Sequence, residues 1–402
     1  MARVKALLLE NIHPEAERLL ASQGIEVETR KGALDEDELI EAAQGVQLLG
    51  IRSKTQATRR VIESLPELLA IGAFSIGTNQ IDLDAAAEHS IVVFNAPYSN
   101  TRSVVELAIA EIINLARHLG DHSSNMHGGV WSKTAKGSHE VRGRSLGIVG
   151  YGNIGSQLSV LAESLGMNVY FYDVVDRLAL GNATRCNSLD ELLSTVETIS
   201  VHVDGRPENA NMFNAETFAK MRPRSLFLNL SRGHVVDIDA LRDNLLSGHI
   251  AGAGLDVYPK EPKKQGDEFV SPLQGIPNVI LTPHIGGSTA EAQEDIGRFV
   301  SGKFRDYVQT GSTYMSVNLP EVSLDRIQQG TRLLHLHRNV PGVMATVNSV
   351  LGEHGVNIDS QQLATRGGYG YVVTDCSNGV PEAALEQIRS LDATTRLTAL
   401  QA

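Results

Sequence analysis

The sequence predicts an α/β protein with two doubly wound parallel-sheet (Rossmann-like) domains and a C-terminal ferredoxin-like βαββαβ domain. Short apolar runs alternate with helical patterns through the first hundred residues, and the alternation resumes near Arg144. This alternation is typical of βαβ units in a parallel sheet. From Leu333 onward the order changes to strand, helix, strand, strand, helix, strand, which predicts the ferredoxin-like domain.

The first series of runs predicts five strands separated by helices. We expect strands at Val4–Leu9, around Val27, and at Val46–Ile51, Leu68–Ala73 and Ile91–Asn95, with helices at Glu15–Leu20, Glu36–Ala43 and Leu83–Glu88. A longer helix is expected at Thr101–Leu119, because Val104, Ala108, Ile112 and Leu115 recur on one face.

The second series predicts six strands. They are expected at Leu146–Val149, Val169–Tyr172, Thr198–Val203, Ser225–Leu230, Ala251–Val257 and Asn278–Leu281. An amphipathic helix at Thr289–Gln309 would then return the chain to the first domain, and the polar stretch around Pro320 suggests a linker. We therefore expect a discontinuous first domain of residues 1–100 and 288–318, a second domain of residues 101–287, a linker at 319–330 and a third domain at 331–402.

The third domain is predicted from a separate set of runs. Its strands are expected at Leu333–His337, Ile358–Leu363, Tyr369–Asp375 and Thr395–Leu400, and its helices at Val343–Glu353 and Glu382–Leu391.

Composition excludes several classes of function. The 402 residues include 47 acidic and 35 basic side chains, for a net charge of −12, which disfavours nucleic-acid binding. Apolar runs are shorter than the roughly 18 residues that a membrane span needs, and the first ten residues do not resemble a signal peptide. Cys186 and Cys376 are far apart and lack metal-ligand spacing, so we expect no metal site, no disulfide framework and a cytoplasmic protein.

The motif Gly150-Tyr151-Gly152-Asn153-Ile154-Gly155 follows a predicted strand and opens a predicted helix, Ser156–Leu165. In a dinucleotide fingerprint the first glycine permits the tight turn, the second lets the backbone approach the pyrophosphate, and the third lets the helix pack on the sheet. Asp173 follows at the end of the next strand, where it would accept hydrogen bonds from the adenosine ribose and repel a 2′-phosphate. The motif therefore predicts NAD as the cofactor.

Three further polar residues follow successive strands of the same domain, namely Arg232, Glu261 and His284. The carboxyl ends of parallel strands line the ligand crevice, so we expect these side chains to converge there. Oxidation of a 2-hydroxy acid needs such a set. The guanidinium binds the carboxylate, the imidazole takes the hydroxyl proton, and the glutamate holds the second ring nitrogen.

Longer stretches around these residues resemble the three signatures of the D-2-hydroxyacid dehydrogenase family. They are Asn229–Gly233, Asp256–Pro262 and Thr282–Thr289, and Ser75–Gln80 and Asn95–Ser103 match as well. Within the family, nearly the whole chain is similar to the bacterial members that oxidise 3-phosphoglycerate and carry one C-terminal ACT domain. The resemblance implies NAD-dependent oxidation of 3-phospho-D-glycerate to 3-phosphohydroxypyruvate, the first step of L-serine biosynthesis, by a homotetramer.

The resemblance also implies roles for individual residues. His284 would be the proton donor or acceptor, Glu261 its partner and Arg232 the ligand of the substrate carboxylate and carbonyl. Besides the motif glycines, the cofactor contacts would be Asn153, Ile154, Asp173, Leu230, Ser231, Arg232, Asp256, His284, Ile285, Gly286 and Gly287. Substrate contacts would be Lys31, Arg52, Ser53, Ser75, Ile76, Gly77, Asn100 and Lys133. The loop that holds Lys133 also carries Trp131, which we expect to contact a neighbouring subunit.

The C-terminal stretches His335–Val343 and Gly355–Ile358 resemble an ACT domain. In similar enzymes two such domains pair and bind L-serine at their interface, and the matching positions here are His337, Asn339 and Asn357. Two alternatives stay open. One is a dehydrogenase for another D-2-hydroxy acid, for example an enzyme that reduces 2-oxoglutarate, and the other is an NAD(H)-sensing binding protein.

Overall fold

A computed structural model describes residues 4–262 and 266–402. The chain forms two compact units, one of residues 100–292 and the other of residues 1–99 together with residues 293–402.

The first unit begins with a five-stranded parallel sheet in the order β2-β1-β3-β4-β5. Its strands are β1 Lys5–Leu8, β2 Glu26–Thr29, β3 Leu48–Ile51, β4 Ala70–Ala73 and β5 Val92–Phe94. Between them lie the helices α1 Pro14–Ser22, α2 Glu36–Ala42, α3 Arg59–Glu63 and α4 Leu83–Glu88. Strands β3, β4 and β5 are buried on both faces, as expected of a doubly wound sheet.

The second unit begins with helix α5 Thr101–Arg117, which ends where His118 adopts a left-handed conformation (φ 51°), and α6 Leu119–His127 follows. Its sheet is parallel, with seven strands in the order β12-β11-β10-β9-β6-β7-β8. The strands are β6 Ser145–Val149, β7 Asn168–Tyr172, β8 Thr184–Arg185, β9 Thr198–Val201, β10 Ser225–Asn229, β11 Ile250–Leu255 and β12 Val279–Leu281. The helices are α7 Asn153–Ser164, α8 Leu189–Thr195, α9 Ala215–Lys220 and α10 Ile238–Leu246. Short 3₁₀ turns lie at Pro207–Asn209 and Gly233–Val235.

Helix α11, Ala290–Thr310, leads back to the first unit, where its Val300, Phe304 and Tyr307 belong to the same hydrophobic core as Phe94. Residues 319–330, the predicted linker, are irregular, but Leu319 and Val322 are buried in this core. The predicted domain boundaries themselves remain a prediction.

The C-terminal module confirms the predicted βαββαβ order. Its elements are β13 Thr331–Arg338, α12 Val343–Glu353, β14 Ile358–Arg366, β15 Tyr369–Cys376, α13 Glu382–Arg389 and β16 Thr394–Gln401. The sheet is antiparallel in the order β14-β15-β13-β16. The predicted fold class is therefore confirmed in all three parts. Within the two described ranges, every helix is too short or too polar to cross a membrane.

Candidate active site

The glycine-rich turn between β6 and α7 has the geometry of a dinucleotide cradle. Gly150 has φ 91°, and a Cβ there would lie 2.6 Å from the carbonyl oxygen of His202. A Cβ on Gly155 would lie 2.2 Å from the carbonyl oxygen of Gly150, so only glycine lets α7 close on the turn. A Cβ on Gly152, in contrast, would meet no atom within 4 Å, which places open space beside the backbone.

The helix that faces this space begins three residues earlier than predicted, at Asn153 rather than Ser156, with Gly152 as its N-cap. No side chain caps it, so its first backbone N–H groups are available to a ligand. These N–H groups and the positive end of the helix dipole suit a pyrophosphate. Asn153 and Ile154 lie in this first turn, as the cofactor assignment requires.

Asp173 follows β7 and faces the same turn. Its carboxylate accepts hydrogen bonds from Tyr151 N (2.7 Å) and Val175 N (2.8 Å), and Arg177 Nε lies 3.8 Å away. These contacts fix the carboxylate beside the cradle, where an adenosine ribose would be recognised. The open space, the free helix N-terminus and the fixed acid together fit NAD.

Arg232 follows β10 on a loop that Asn229 holds. The Asn229 Oδ1 accepts hydrogen bonds from Ser231 N (3.1 Å) and Ser231 Oγ (2.8 Å), and its Nδ2 donates to Arg232 O (3.0 Å). A Cβ on Gly233 would lie 1.9 Å from the carbonyl carbon of Tyr258, so this glycine lets the Arg232 loop pack directly against the loop that carries Glu261.

The structure brings His284 and Glu261 into contact. His284 Nδ1 donates to Glu261 Oε2 at 2.9 Å, and Glu261 Oε1 accepts from Tyr258 N at 3.2 Å. The hydrogen bond to Glu261 and that carboxylate's charge raise the pKa of His284, against the opposing effect of burial. Burial raises the pKa of Glu261, but the hydrogen bond and the charge of His284 outweigh it, so the Glu261 pKa lies below its ordinary value.

Asp256 organises the turn that carries His284. It is 1% exposed and follows β11. Its Oδ1 accepts hydrogen bonds from Thr282 Oγ1 (2.6 Å) and Ile285 N (2.8 Å), and its Oδ2 accepts from Gly286 N (2.7 Å). His284 itself has φ 55°, so this left-handed turn depends on the three hydrogen bonds.

This arrangement can perform acid–base chemistry next to a dinucleotide. The bond to Glu261 fixes the His284 tautomer and leaves Nε2 to exchange a proton with a substrate hydroxyl or carbonyl. The positive charge of Arg232 acts on both members of the pair, lowering the pKa of each. The three predicted catalytic residues are thus brought to one edge of the sheet.

Comparison with known proteins agrees with this site. Residues 109–286 match the family model "D-isomer specific 2-hydroxyacid dehydrogenase, NAD binding domain", and residues 333–396 match the "AHAS small subunit-like ACT domain". D-3-phosphoglycerate dehydrogenase of Escherichia coli K12 is 50% identical, with 98% of this chain and 97% of the relative covered. The same enzyme of Haemophilus influenzae is 48% identical, with 99% and 98% covered.

The chain belongs to the D-3-phosphoglycerate dehydrogenase family. It is an NAD-binding oxidoreductase with a C-terminal ACT domain. Among solved structures, the Aquifex aeolicus D-lactate dehydrogenase complexed with NAD and lactic acid is similar at 27% identity and a TM-score of 0.65, covering 75% of this chain and 95% of that one. A putative D-isomer specific 2-hydroxyacid dehydrogenase from Polaromonas shares 27% identity and a TM-score of 0.69, covering 76% and 97%.

In this family member, several predicted substrate residues share a surface of the first unit. Arg52 follows β3, and Gln80 Nε2 donates both to Arg52 O and to Ser75 Oγ, which in turn donates to Gly77 O at 2.8 Å. Gln80 thus ties the loop of Arg52 and Ser53 to the loop of Ser75, Ile76 and Gly77. Asn100 and Lys133 belong to the other unit. Asn100 Oδ1 is buried and has no hydrogen-bond partner in the described ranges, whereas Lys133 is exposed.

Sequence reasoning missed the residue that organises this surface. The Glu10 carboxylate accepts hydrogen bonds from Arg52 N (3.0 Å), Lys54 N (3.0 Å) and Thr55 N (2.9 Å). Glu10 N donates to Gly32 O at 3.1 Å, which ties in the loop of Lys31. The available signal was its position, because Glu10 follows the first strand at the carboxyl edge of the sheet.

The ACT domain does not bring its three predicted effector residues together within one chain. His337 is buried at the carboxyl end of β13, and Asn339 N donates to Gly368 O beside the β14–β15 turn. Asn357 precedes β14, whose start pairs with Cys376 at the opposite end of the sheet. The eight residue steps from Ile358 to Arg366 separate the two ends by about 26 Å.

Proposed function

We propose that this chain oxidises 3-phospho-D-glycerate to 3-phosphohydroxypyruvate with NAD, as the first step of L-serine biosynthesis. The single observation that carries this proposal is the His284–Glu261 hydrogen bond on the same sheet edge as the glycine cradle and Arg232. A cytoplasmic location is in keeping with two free, buried cysteines, Cys186 and Cys376.

The chemistry follows from the roles of these side chains. Arg232 binds the substrate carboxylate and polarises the adjacent carbon–oxygen bond. His284 Nε2 takes the proton of the 2-hydroxyl, and Glu261 stabilises the imidazolium that forms. NAD, when bound, supplies the hydride acceptor. Leu230, Ser231, Asp256 and the segment Ile285–Gly287 line the cofactor's side of this edge.

We assign recognition of the substrate phosphate to the first unit. Arg52 and Lys31 supply positive charge, and Ser53 and Ser75 supply hydroxyl groups. Glu10 occupies the amides of Arg52, Lys54 and Thr55, which leaves that of Ser53 for a ligand. We also assign Asn100 and Lys133 of the second unit to substrate binding, as the family resemblance implies.

We propose that L-serine is the effector and that the chain forms a homotetramer. The separation of Asn357 from His337 and Asn339 supports a serine site that two ACT domains share. The second unit also presents apolar side chains to solvent on and after α5 and α6. They are Ile113, Leu119, Met126, Val130 and Trp131, and Trp131 is 79% exposed. Such a surface fits a second copy of the chain.

An absorbance assay of NADH oxidation tests the proposal. With 3-phosphohydroxypyruvate we expect rapid oxidation that millimolar L-serine suppresses. Arg52→Ala should raise the KM for this substrate roughly 10- to 100-fold, because a charged hydrogen-bonding pair is lost, and should spare phosphate-free substrates such as 2-oxoglutarate. Arg60→Ala is the matched control, since Arg60 pairs with Glu36 and Asp37 on the surface.

Other outcomes support other functions. Turnover of 2-oxoglutarate alone would favour a different D-2-hydroxy acid, and an equal effect of Arg52→Ala on both substrates would contradict the phosphate assignment. NADH binding without any turnover would favour an NAD(H)-sensing protein.

A further inference from the structure

Glu111 is a buried acid for which the mechanism above has no role. It lies on the face of α5 that packs against the sheet, among Val104, Ala108, Ile112 and Leu115, and it is 2% exposed. Neither of its carboxyl oxygens has a hydrogen-bond partner among the residues that the structure describes. A buried, unpaired carboxylate is strongly unfavourable, so a protein that keeps one at this position gives up stability.

Strand β11 has a gap that fits this carboxyl group. A Cβ on Gly254 would lie 2.4 Å from Glu111 Oε2, so any larger residue would displace the acid. Gly254 lies within the regular strand. Glycine is therefore required at this position because there is no room for a side chain, and not because the backbone adopts an unusual conformation. Because successive side chains of a strand alternate between faces, Asp256 follows on the same face as Gly254. Glu111 thus lies behind the residue that holds the His284 turn.

The surroundings of Glu111 favour its protonated form. Burial, and then the negative charge of Asp256, raise the pKa of Glu111 to about 8. Tyr258 is a further titratable group that faces Glu111, and its hydroxyl donates to Leu255 O (2.9 Å) and Thr282 O (3.0 Å). Asp256 accepts three hydrogen bonds, whereas Glu111 accepts none within the described residues, so Glu111 is the member of the pair that keeps a proton.

We propose that Glu111 is a positioning residue, which in its protonated form allows Asp256 to hold the turn of His284 and the cofactor-side segment Ile285–Gly287. Ionisation of Glu111 puts a second negative charge behind Asp256. This repulsion is relieved when Asp256 and the turn move away from Glu111, which weakens the hydrogen bonds that Ile285 N and Gly286 N donate to Asp256. The role in cofactor binding rests on the proposed function, but the stability of the free protein does not.

Two variants remove the ionisation and keep the volume of the side chain. In Glu111→Gln the side chain keeps its shape. In Glu111→Met the side chain is apolar and of similar length, so this variant still tests the proposal if Glu111→Gln folds poorly. The matched control is Glu106→Gln on the same helix, where Glu106 is exposed and paired with Arg102 at 2.6 Å.

The first measurement is urea unfolding of the cofactor-free protein from pH 5 to 9.5. The folded state keeps a proton that the unfolded state releases near pH 4.5, so this group lowers the stability as pH rises toward 8 and has no further effect above it. Both Glu111 variants should lose this slope, whereas Glu106→Gln should retain it.

The second measurement is NADH binding by fluorescence over the same range. For the wild-type protein and Glu106→Gln, we expect the Kd to rise about tenfold per pH unit above pH 8. For the Glu111 variants, that rise should be absent. An unchanged rise in the variants would overturn the positioning role, even if the stability slope disappears. Failure of the proposed function is distinguishable, because it would abolish turnover of 3-phosphohydroxypyruvate and leave both of these comparisons intact.

Discussion

His284 depends on Glu261 for both its orientation and its proton affinity. The hydrogen bond between them holds Nδ1 and raises the His284 pKa, so in the proposed mechanism Nε2 is the nitrogen that exchanges a proton with the substrate. Since oxidation needs neutral His284, its rate should increase with pH through the raised pKa. Reduction of the keto acid needs the protonated form and should show the opposite dependence.

Glu261→Gln tests this coupling. The glutamine amide can donate to Nδ1, which fixes the wrong tautomer, and we expect kcat for oxidation to fall roughly 10²- to 10⁴-fold. The remaining activity should follow a His284 pKa closer to 6.5, so the acid limb of kcat/KM moves to lower pH. Glu208→Gln, at an exposed glutamate on the Pro207–Asn209 turn, is the control. An acid limb at the wild-type position would contradict the assigned pairing.

Both members of the pair stabilise the fold, but their contributions change with pH in opposite directions. The raised His284 pKa stabilises the fold below about pH 6.5, and this contribution is lost as pH rises through the folded-state pKa. The lowered Glu261 pKa stabilises the fold above pH 4.5, and that contribution is lost as pH falls. Both groups are partly exposed, so solvent screening reduces the two effects.

At the scale of elements, two glycines of the cradle are needed for different reasons, one for folding and the other for cofactor binding. Gly155 is needed for the helix to close on the turn, whereas Gly152 borders open space. Gly152→Ala, with φ −78° at that position, should therefore fold with a free energy of unfolding within about 1 kcal/mol of wild type. Its Cβ would occupy the space that the pyrophosphate needs, and we expect the Kd for NADH to rise at least roughly tenfold, or about 1.4 kcal/mol.

Thermal unfolding and NADH fluorescence measure these two effects. Gly302→Ala is the control, because Gly302 lies inside α11 and a Cβ there meets no atom within 4 Å. It should raise stability by up to about 1 kcal/mol and leave NADH binding unchanged. Normal NADH affinity in Gly152→Ala would show that the pyrophosphate does not approach this backbone.

The periodicity of the sequence predicts elements well where one period dominates. The helix Val343–Glu353 and all the predicted strands of both parallel sheets lie where the apolar runs indicated. Strand β8 was missed, because it has only two residues and both are exposed. The start of α7 was wrong by three residues because the glycines of the motif disfavour a helix, yet the open space and the fold around them allow one. Helix α6, Leu119–His127, was missed because it is polar and contains no buried residue.

The candidate site also contains some residues whose roles the sequence predicts and others whose roles it does not. Arg232, Glu261 and His284 could be predicted because they follow strands at one edge of a parallel sheet. Glu10 and Glu111 could not be assigned roles, because their functions depend on which backbone amides or carboxylates lie against them. No sequence period encodes the three amides that bond to Glu10 or the gap that Gly254 leaves for Glu111.

At the scale of the whole molecule, the ACT sheet packs against the rest of the first unit, to which it belongs. Leu334, Leu336, Tyr371 and Val373 belong to the same hydrophobic core as Phe304. Tyr371 OH donates to Gly311 O at 2.6 Å, and the buried Arg332 pairs with Asp375 and donates to Thr310 O (3.1 Å). The ACT domain is therefore joined to the strands and loops that carry Arg52 by packed side chains as well as by the chain, which provides a physical route for coupling.

The separation of the effector residues makes a prediction about assembly. Asn339 and Asn357 lie at opposite ends of the ACT sheet, so the proposed serine site would combine Asn339 of one copy with Asn357 of another. Asn339 and Asn357 are both exposed. Asn339→Ala and Asn357→Ala should therefore each abolish serine inhibition, while the basal rate of NADH oxidation is retained. When the two variants are dissociated, mixed and reassembled, about half of the ACT pairs combine one of each, and each such pair has one intact site.

Serine inhibition of the reassembled mixture, followed by NADH absorbance, measures the outcome. We expect partial inhibition in the mixture and none when each variant is dissociated and reassembled alone. If a single chain instead formed the whole site, every chain in the mixture would lack one of its asparagines, and serine would have no effect. Restored inhibition therefore requires that two chains share the site, which makes assembly of the ACT domains a condition of regulation rather than a consequence of it.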